Sequence, residues 1–118
     1  MNIYDTAHRL AEEIRQSEEC VKLRELRERA YEDPTNSTLL KEYKRLQVKL
    51  QMSTSGVAGA MPTEEMERFK QIAQLLCMNN DVQAYLLAEL QMEKTLGDVF
   101  KIMTEAAGLS IELPEGNA

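Results

Sequence analysis

At 118 residues and 13.5 kDa the chain is one domain's worth of protein. Hydrophobic residues make up 43% and charged residues 29%, too apolar and too periodic for a wholly disordered chain. Fourteen Lys plus Arg against twenty Asp plus Glu leave a net charge of −6, which is not the balance of an obvious nucleic-acid binder.

No run of about 18 apolar residues is present to span a membrane. No apolar segment near Met1 reads as a secretory signal. Two cysteines do not make a disulfide framework. The expectation is a soluble, cytoplasmic, helix-rich protein. The charge is uneven. Up to Leu50, ten basic and ten acidic residues cancel; beyond it, four basic face ten acidic. All the excess negative charge lies in the second part, an asymmetry able to orient partners through the long-range field.

The first helix is expected over residues 2–32. Ile3, Ala7, Leu10 and Ile14 recur at steps of four and three, one stripe of a helix. The stripe blurs at Ser17 and resumes in a shifted phase through Cys20, Leu23, Leu26 and Ala30. Asp33-Pro34 closes this helix, because the residue before a proline is pushed out of the α region. Asp33 then caps a second helix, with Pro34 in its first turn. That helix is expected over 34–51, with Leu39, Tyr43, Leu46 and Leu50 as its stripe, and so short a connection predicts an antiparallel hairpin. The small-residue stretch 53–60 reads as a loop.

Thr63 is the expected cap of a third helix over 64–78, with Glu64 and Glu65 in the favoured first turn. Asn80 is the expected cap of a fourth over 81–107, with Gln83 completing a capping box. Gly108 fits the left-handed stop after it. Two apolar rows run along this last helix, and their width predicts contact with more than one neighbour, the third helix and a second subunit. The interface residues so expected are Tyr85, Met92, Leu96, Val99, Phe100 and Met103. The architecture is therefore all-α: an antiparallel bundle of about four helices in one domain over 1–108, followed by a loose tail over 109–118.

Candidate chemistry is sparse. His8 is the single histidine; without clustered Cys or Asp it makes a poor zinc site, even with Glu12 one turn on. Cys20 and Cys77 are each alone and read as reduced thiols. Glu89 and Glu93 lie one turn apart, a spacing able to serve acid–base work or a divalent metal. They lack the second carboxylate–His set of helical di-metal bundles, so the preferred reading is a polar strip that fixes register at a helix interface or simply faces water. Lys41, Lys44, Arg45 and Lys49 form a basic strip on the second helix, read first as a solvated face and second as a contact for RNA phosphates or an acidic partner. It has no interleaved aromatics for base stacking. No phosphate loop, nucleophile elbow or nucleophile–base pair is present. The chain is read as a non-enzyme without a metal or cofactor of its own.

Three segments resemble one family: IYDTAHRLAEEIRQSEE at the start, YEDP at the first turn, and NNDVQAYLLAELQMEKTLGDVFKI in the last long helix. In order and spacing they look like the YlbF/YmcA family of small helical bacterial proteins, over Asn2 to about Ala107. The resemblance implies long antiparallel helices, with the last one contributing to a subunit interface. It also implies a regulator acting with related family proteins to adjust mRNA processing by a membrane-associated ribonuclease, and so competence, sporulation and biofilm formation. Some such complexes hold iron–sulfur clusters through cysteines. Here the cysteines are isolated, and Asp81 stands where family members often have proline after the capping Asn. The partners expected are a second copy, related family proteins and a ribonuclease complex. The alternatives are a direct RNA binder using the basic strip and a purely structural homo-oligomer.

Overall fold

A computed structural model describes residues 2–56 and 59–109. Five helices run through them: α1 (Ile3–Gln16), α2 (Glu18–Ala30), α3 (Pro34–Thr54), α4 (Thr63–Cys77) and α5 (Asn80–Ala106). The chain is all-α, and its helices pack side by side as an antiparallel bundle. The tail expected over 109–118 lies, beyond Leu109, outside the described residues.

The first helix expected over 2–32 is two helices, and Ser17 is the reason. Its backbone is extended, with φ −66° and ψ 153°. Its hydroxyl donates to the Ile14 carbonyl at 2.7 Å and accepts from the Cys20 N–H at 3.2 Å. One serine therefore closes α1 and caps α2, using the local backbone bonding that makes serine poor inside helices and good at their ends. Glu18 and Glu19 follow in the first turn of α2, where the helix dipole favours them. The Arg24 guanidinium covers the Arg15 carbonyl at 3.1 Å, satisfying one of the acceptors that the break exposes.

Asp33 and Pro34 act as expected: the Asp33 carboxylate accepts from the N–H groups of Thr35 and Asn36 at 2.8 and 3.3 Å. The other ends differ by a residue or a turn. α3 continues to Thr54 because the Thr54 and Ser55 hydroxyls donate back to the Gln51 and Met52 carbonyls. α4 begins at Thr63 itself; Pro62 occupies the cap position and no side chain caps it. Asn79, not Asn80, caps α5, its side-chain oxygen accepting from the Val82 N–H at 3.0 Å. Gly108 stops the last helix with φ +76°, a conformation that disfavours any side chain.

Packing separates two pairs. α2 lies along α5, and α3 lies along α4. α2 and α3, expected as partners across their short turn, thus each make their main contact elsewhere. The core is formed by Leu23, Leu26 and Ala30 of α2, Leu40 and Leu46 of α3, Ile72 and Leu76 of α4, and Val82, Tyr85 and Met92 of α5. Tyr43 and Phe69 stack with centroids 5.0 Å apart, joining α3 to α4. α1 contributes no buried residue. The shape is elongated, 49 × 35 × 22 Å. Its accessible surface is 8872 Å², whereas a compact monomer of this mass exposes about 6,500 Å². Part of that excess is the uncovered surface of α1 and of the end of α5.

Candidate functional site

Two features stand out from the packing: a half-buried polar cluster on one side, and an uncovered apolar face on the other.

The cluster joins three helices. Glu89 of α5 pairs through one carboxylate oxygen with the Lys44 ammonium of α3. Its other oxygen accepts from the Tyr85 hydroxyl at 3.0 Å. The Lys44 ammonium sits 5.2 Å from the Tyr85 ring centre, and the Arg27 guanidinium of α2 sits 5.9 Å from it. Tyr31 meets the same ring edge-on, with centroids 5.8 Å apart. Burial is the main cause that pushes the Tyr85, Tyr31 and Tyr43 hydroxyls above their ordinary value. These hydroxyls stay protonated at neutral pH, and that of Tyr85 donates to Glu89. Through these contacts the cluster ties α2, α3 and α5 together. Glu93, one turn beyond Glu89, is exposed and outside it.

This cluster divides the basic strip. Lys44 is engaged by Glu89, and Lys49 by Glu65 of α4 at 2.7 Å. Lys41 and Arg45 remain exposed on the surface of α3. Two of the four cations thus face carboxylates from other helices, a partner that helix spacing alone does not reveal. Arg68 of α4 adds a further link to α3, its Nη2 and Nε donating to the two carboxylate oxygens of Glu42 at 3.0 and 3.1 Å. That pairing draws the Glu42 carboxyl below its usual range.

The expected interface residues fall into two groups. Tyr85 and Met92 are buried in the chain's own core. Beyond them α5 outruns its neighbours: Leu96, Phe100 and Met103 are 45%, 42% and 50% exposed, and Val99 is half-buried. Lys94, Asp98, Lys101 and Glu105 share the opposite side of this segment. The last inner link is a hydrogen bond from the Thr95 hydroxyl to Glu19 of α2 at 3.1 Å.

Sequence reasoning missed a second uncovered face, that of α1, where Ile3 is 77% exposed. Its signal was the stripe Ile3, Ala7, Leu10 and Ile14, read as one stripe of a single long helix. Only Ile14 packs against the core cluster.

The thiols and the histidine stay apart. Cys20 is half-buried and Cys77 exposed, both free, on different helices. Cysteine-held iron–sulfur clusters take several thiolates in one place. Among the described residues no group of three His, Cys, Asp or Glu side chains is placed to hold a metal ion. Among the described residues this chain does not by itself bring such a set of thiolates together. Glu12, the candidate partner of His8, is held instead by Arg15 at 3.2 Å and by Gln16 at 2.7 Å. Among the described residues no helix is long and apolar enough to cross a membrane.

The chain is thus all-α, with a small core, an ion pair joining α3 to α5 and a long last helix whose apolar end is uncovered. It belongs to the family described as control of competence regulator ComK, YlbF/YmcA, whose model matches residues 3–107. It is similar to a UPF0342 protein of Halothermothrix orenii, 33% identical over 116 residues, covering 98% of this chain and 95% of the relative. A UPF0342 protein of Clostridium tetani is 30% identical over 114 residues, covering 94% of this chain and 95% of the relative. Among solved structures, a protein of unknown function (DUF964) from Bacillus stearothermophilus has the same fold. It has a TM-score of 0.73 and 22% identity, covering 90% of this chain and 92% of that one. Bacillus subtilis RicA, solved in complex with RicF, gives a TM-score of 0.60 at 21% identity, covering 90% of this chain and 93% of that one.

Proposed function

We propose that the chain is a non-catalytic regulatory subunit that binds other proteins through the outer half of α5. It acts in the bacterial cytoplasm, in a complex that adjusts mRNA processing by a ribonuclease and so influences competence, sporulation or biofilm formation. The observation that carries this reading is the apolar face of Leu96, Val99, Phe100 and Met103, left uncovered by the rest of the chain. An exposed row of large apolar side chains on a rigid helix is what a partner helix covers. Membership in a family described by competence control supports the regulatory part. RicA, a protein of like fold, is seen with a protein partner, RicF.

The test is affinity capture from lysate of the native organism, with tagged wild type beside Leu96→Glu/Phe100→Glu. Wild type should recover a sister family protein or a ribonuclease, and the variant should lose it while keeping its helical circular dichroism. Recovery of neither by the wild type would refute the role. Equal recovery by both proteins would move the contact off α5.

A further inference from the structure

An open groove of about 220 Å³ lies where α1, the start of α2 and the middle of α5 come together. Three of its lining side chains are apolar, Leu10, Ile14 and Met92, and two are carboxylates, Glu13 and Glu19. Thr95 orients the second carboxylate: its hydroxyl donates across both Glu19 oxygens, at 3.1 and 3.3 Å. One hydroxyl proton leaves most of the acceptor sites of an ionised carboxylate open. Glu19 is half-buried, and among the described residues neither it nor Glu13 has an ion-pair partner. Elsewhere in the bundle the carboxylates of Glu42, Glu65 and Glu89 each meet a cation from another helix. Half-buried acceptors beside apolar side chains suit a cation carried on an apolar stem.

We propose that the groove takes an arginine side chain from a basic helix of a partner protein. The aliphatic stem lies against Leu10, Ile14 and Met92, and the guanidinium pairs with Glu19 and Glu13. Arginine suits the place because its planar fork binds a carboxylate through two donors and is weakly hydrated. This inference rests on the reading of α5 as an interaction face. It names the partner's chemistry at the inner end of that face, one turn before Leu96 and Val99.

Size favours a side chain over a free ligand, since pockets that enclose small molecules run from about 300 Å³ upward. Charge favours a protein over a nucleic acid or an anionic lipid surface, because two unpaired carboxylates repel phosphate. The chain's net charge of −6 also draws a basic partner from a distance. Position favours a strong contact: a charged anchor that enters a pocket next to a large apolar row is shielded from water when the row is covered.

The experiment titrates the isotopically labelled full chain with n-propylguanidinium, the arginine side chain cut free. N-propylurea, its uncharged isostere, is the control, and amide resonances of residues 10–19 and 92–95 are followed by NMR. The cation should shift the resonances around Glu19 and Thr95 with a Kd at least about fivefold below that of the urea. Glu19→Gln keeps an acceptor for Thr95 and should erase this preference with helicity unchanged. In the lysate capture, the same substitution should raise the Kd of the captured complex at least about tenfold, because it leaves the partner's arginine without its anion. Equal binding of cation and urea, a preference that survives Glu19→Gln, or shifts confined to other acidic surfaces would each overturn the proposal. A wild type that captures its partner as tightly as Glu19→Gln does would overturn only this inference. A clear preference for the cation in a chain that captures no partner would overturn only the regulatory reading.

Discussion

Replacing Glu89 by alanine tests whether the polar cluster holds the bundle in register. The substitution strips the Lys44 ammonium of its carboxylate and the Tyr85 hydroxyl of its acceptor at 3.0 Å. A hydrogen bond to a charged acceptor contributes about 1.5–3 kcal/mol when dry. Here the Lys44 and Glu89 side chains are 28% and 22% exposed, so water moderates the ion pair. Tyr85 is 2% exposed, and its hydroxyl has less recourse to solvent. Alanine returns a few tenths of a kcal/mol in helix propensity. The expected net loss is about 1.5 kcal/mol, or a fall in Tm of roughly 6 °C for a domain of this size. Glu89→Gln keeps an acceptor for Tyr85 and should lose about half as much. A double-mutant cycle with Lys44→Ala should return a coupling of about 0.5–1 kcal/mol. Urea and thermal unfolding followed by circular dichroism would measure all three. If Glu89→Ala lies within about 0.3 kcal/mol of wild type, the cluster does not contribute to stability as argued.

Ser17→Ala should cost about 1 kcal/mol in urea unfolding, because alanine cannot cap α2, and an unchanged midpoint would mean that the α1–α2 break is held by other contacts. Leu40→Ala removes a fully buried side chain and should cost about 2–5 kcal/mol, enough to unfold much of the chain at 37 °C. Tyr31, Tyr43 and Tyr85 have folded values raised above 10.0, chiefly by burial. Their contribution to stability is therefore complete below about pH 10 and disappears as pH rises through the raised folded values; tyrosinate absorbance and helicity recorded together should show delayed ionisation coupled to alkaline unfolding. If Lys41 and Arg45 are the cations offered to single-stranded RNA, two phosphate contacts limit the salt slope to about −1.4. A filter-binding series with a slope near about −2.8, that of four contacts, would show that Lys44 and Lys49 leave their carboxylates to bind.

Local chemistry was the legible part of this fold. Asp33 with Pro34 marks a helix start, and Gly108 marks a helix stop, because each acts within a few residues of itself. Ser17 was legible too: the stripe breaks there, and Ser-Glu-Glu is a start signal. A long helix was nonetheless expected, since one polar residue inside a periodic run is also tolerated by a continuous helix. The pairing of Lys44 with Glu89 was beyond reach, because it spans 45 positions and depends on how α3 and α5 cross. The basic strip consequently looked uniform in sequence, although carboxylates of α4 and α5 engage half of it.

The candidate interface was legible as a row and not as a boundary. α5 has 27 residues, a length of about 40 Å. Its apolar row passes without interruption from Tyr85 and Met92, which the core encloses, to Leu96, Val99, Phe100 and Met103, which it does not. Periodicity reports which side of a helix avoids water and is silent on what covers that side. The boundary is set by the reach of the neighbours: α2 meets α5 as far as the Glu19–Thr95 hydrogen bond, and Ser17 turns the chain away just before Glu18. Without that turn, α1 would extend α2 in a straight line beside the outer half of α5 and cover it within the same chain. The break at Ser17 thus creates both uncovered faces at once, α1 on one side and the end of α5 on the other. A variant that restores helical continuity, Ser17→Leu, should draw α1 onto α5 of its own chain. It should then lower the accessible apolar surface, without loss of helix content. Dye binding to exposed apolar surface and circular dichroism would read both, and undiminished dye binding by this variant would show that the two faces do not arise from the break.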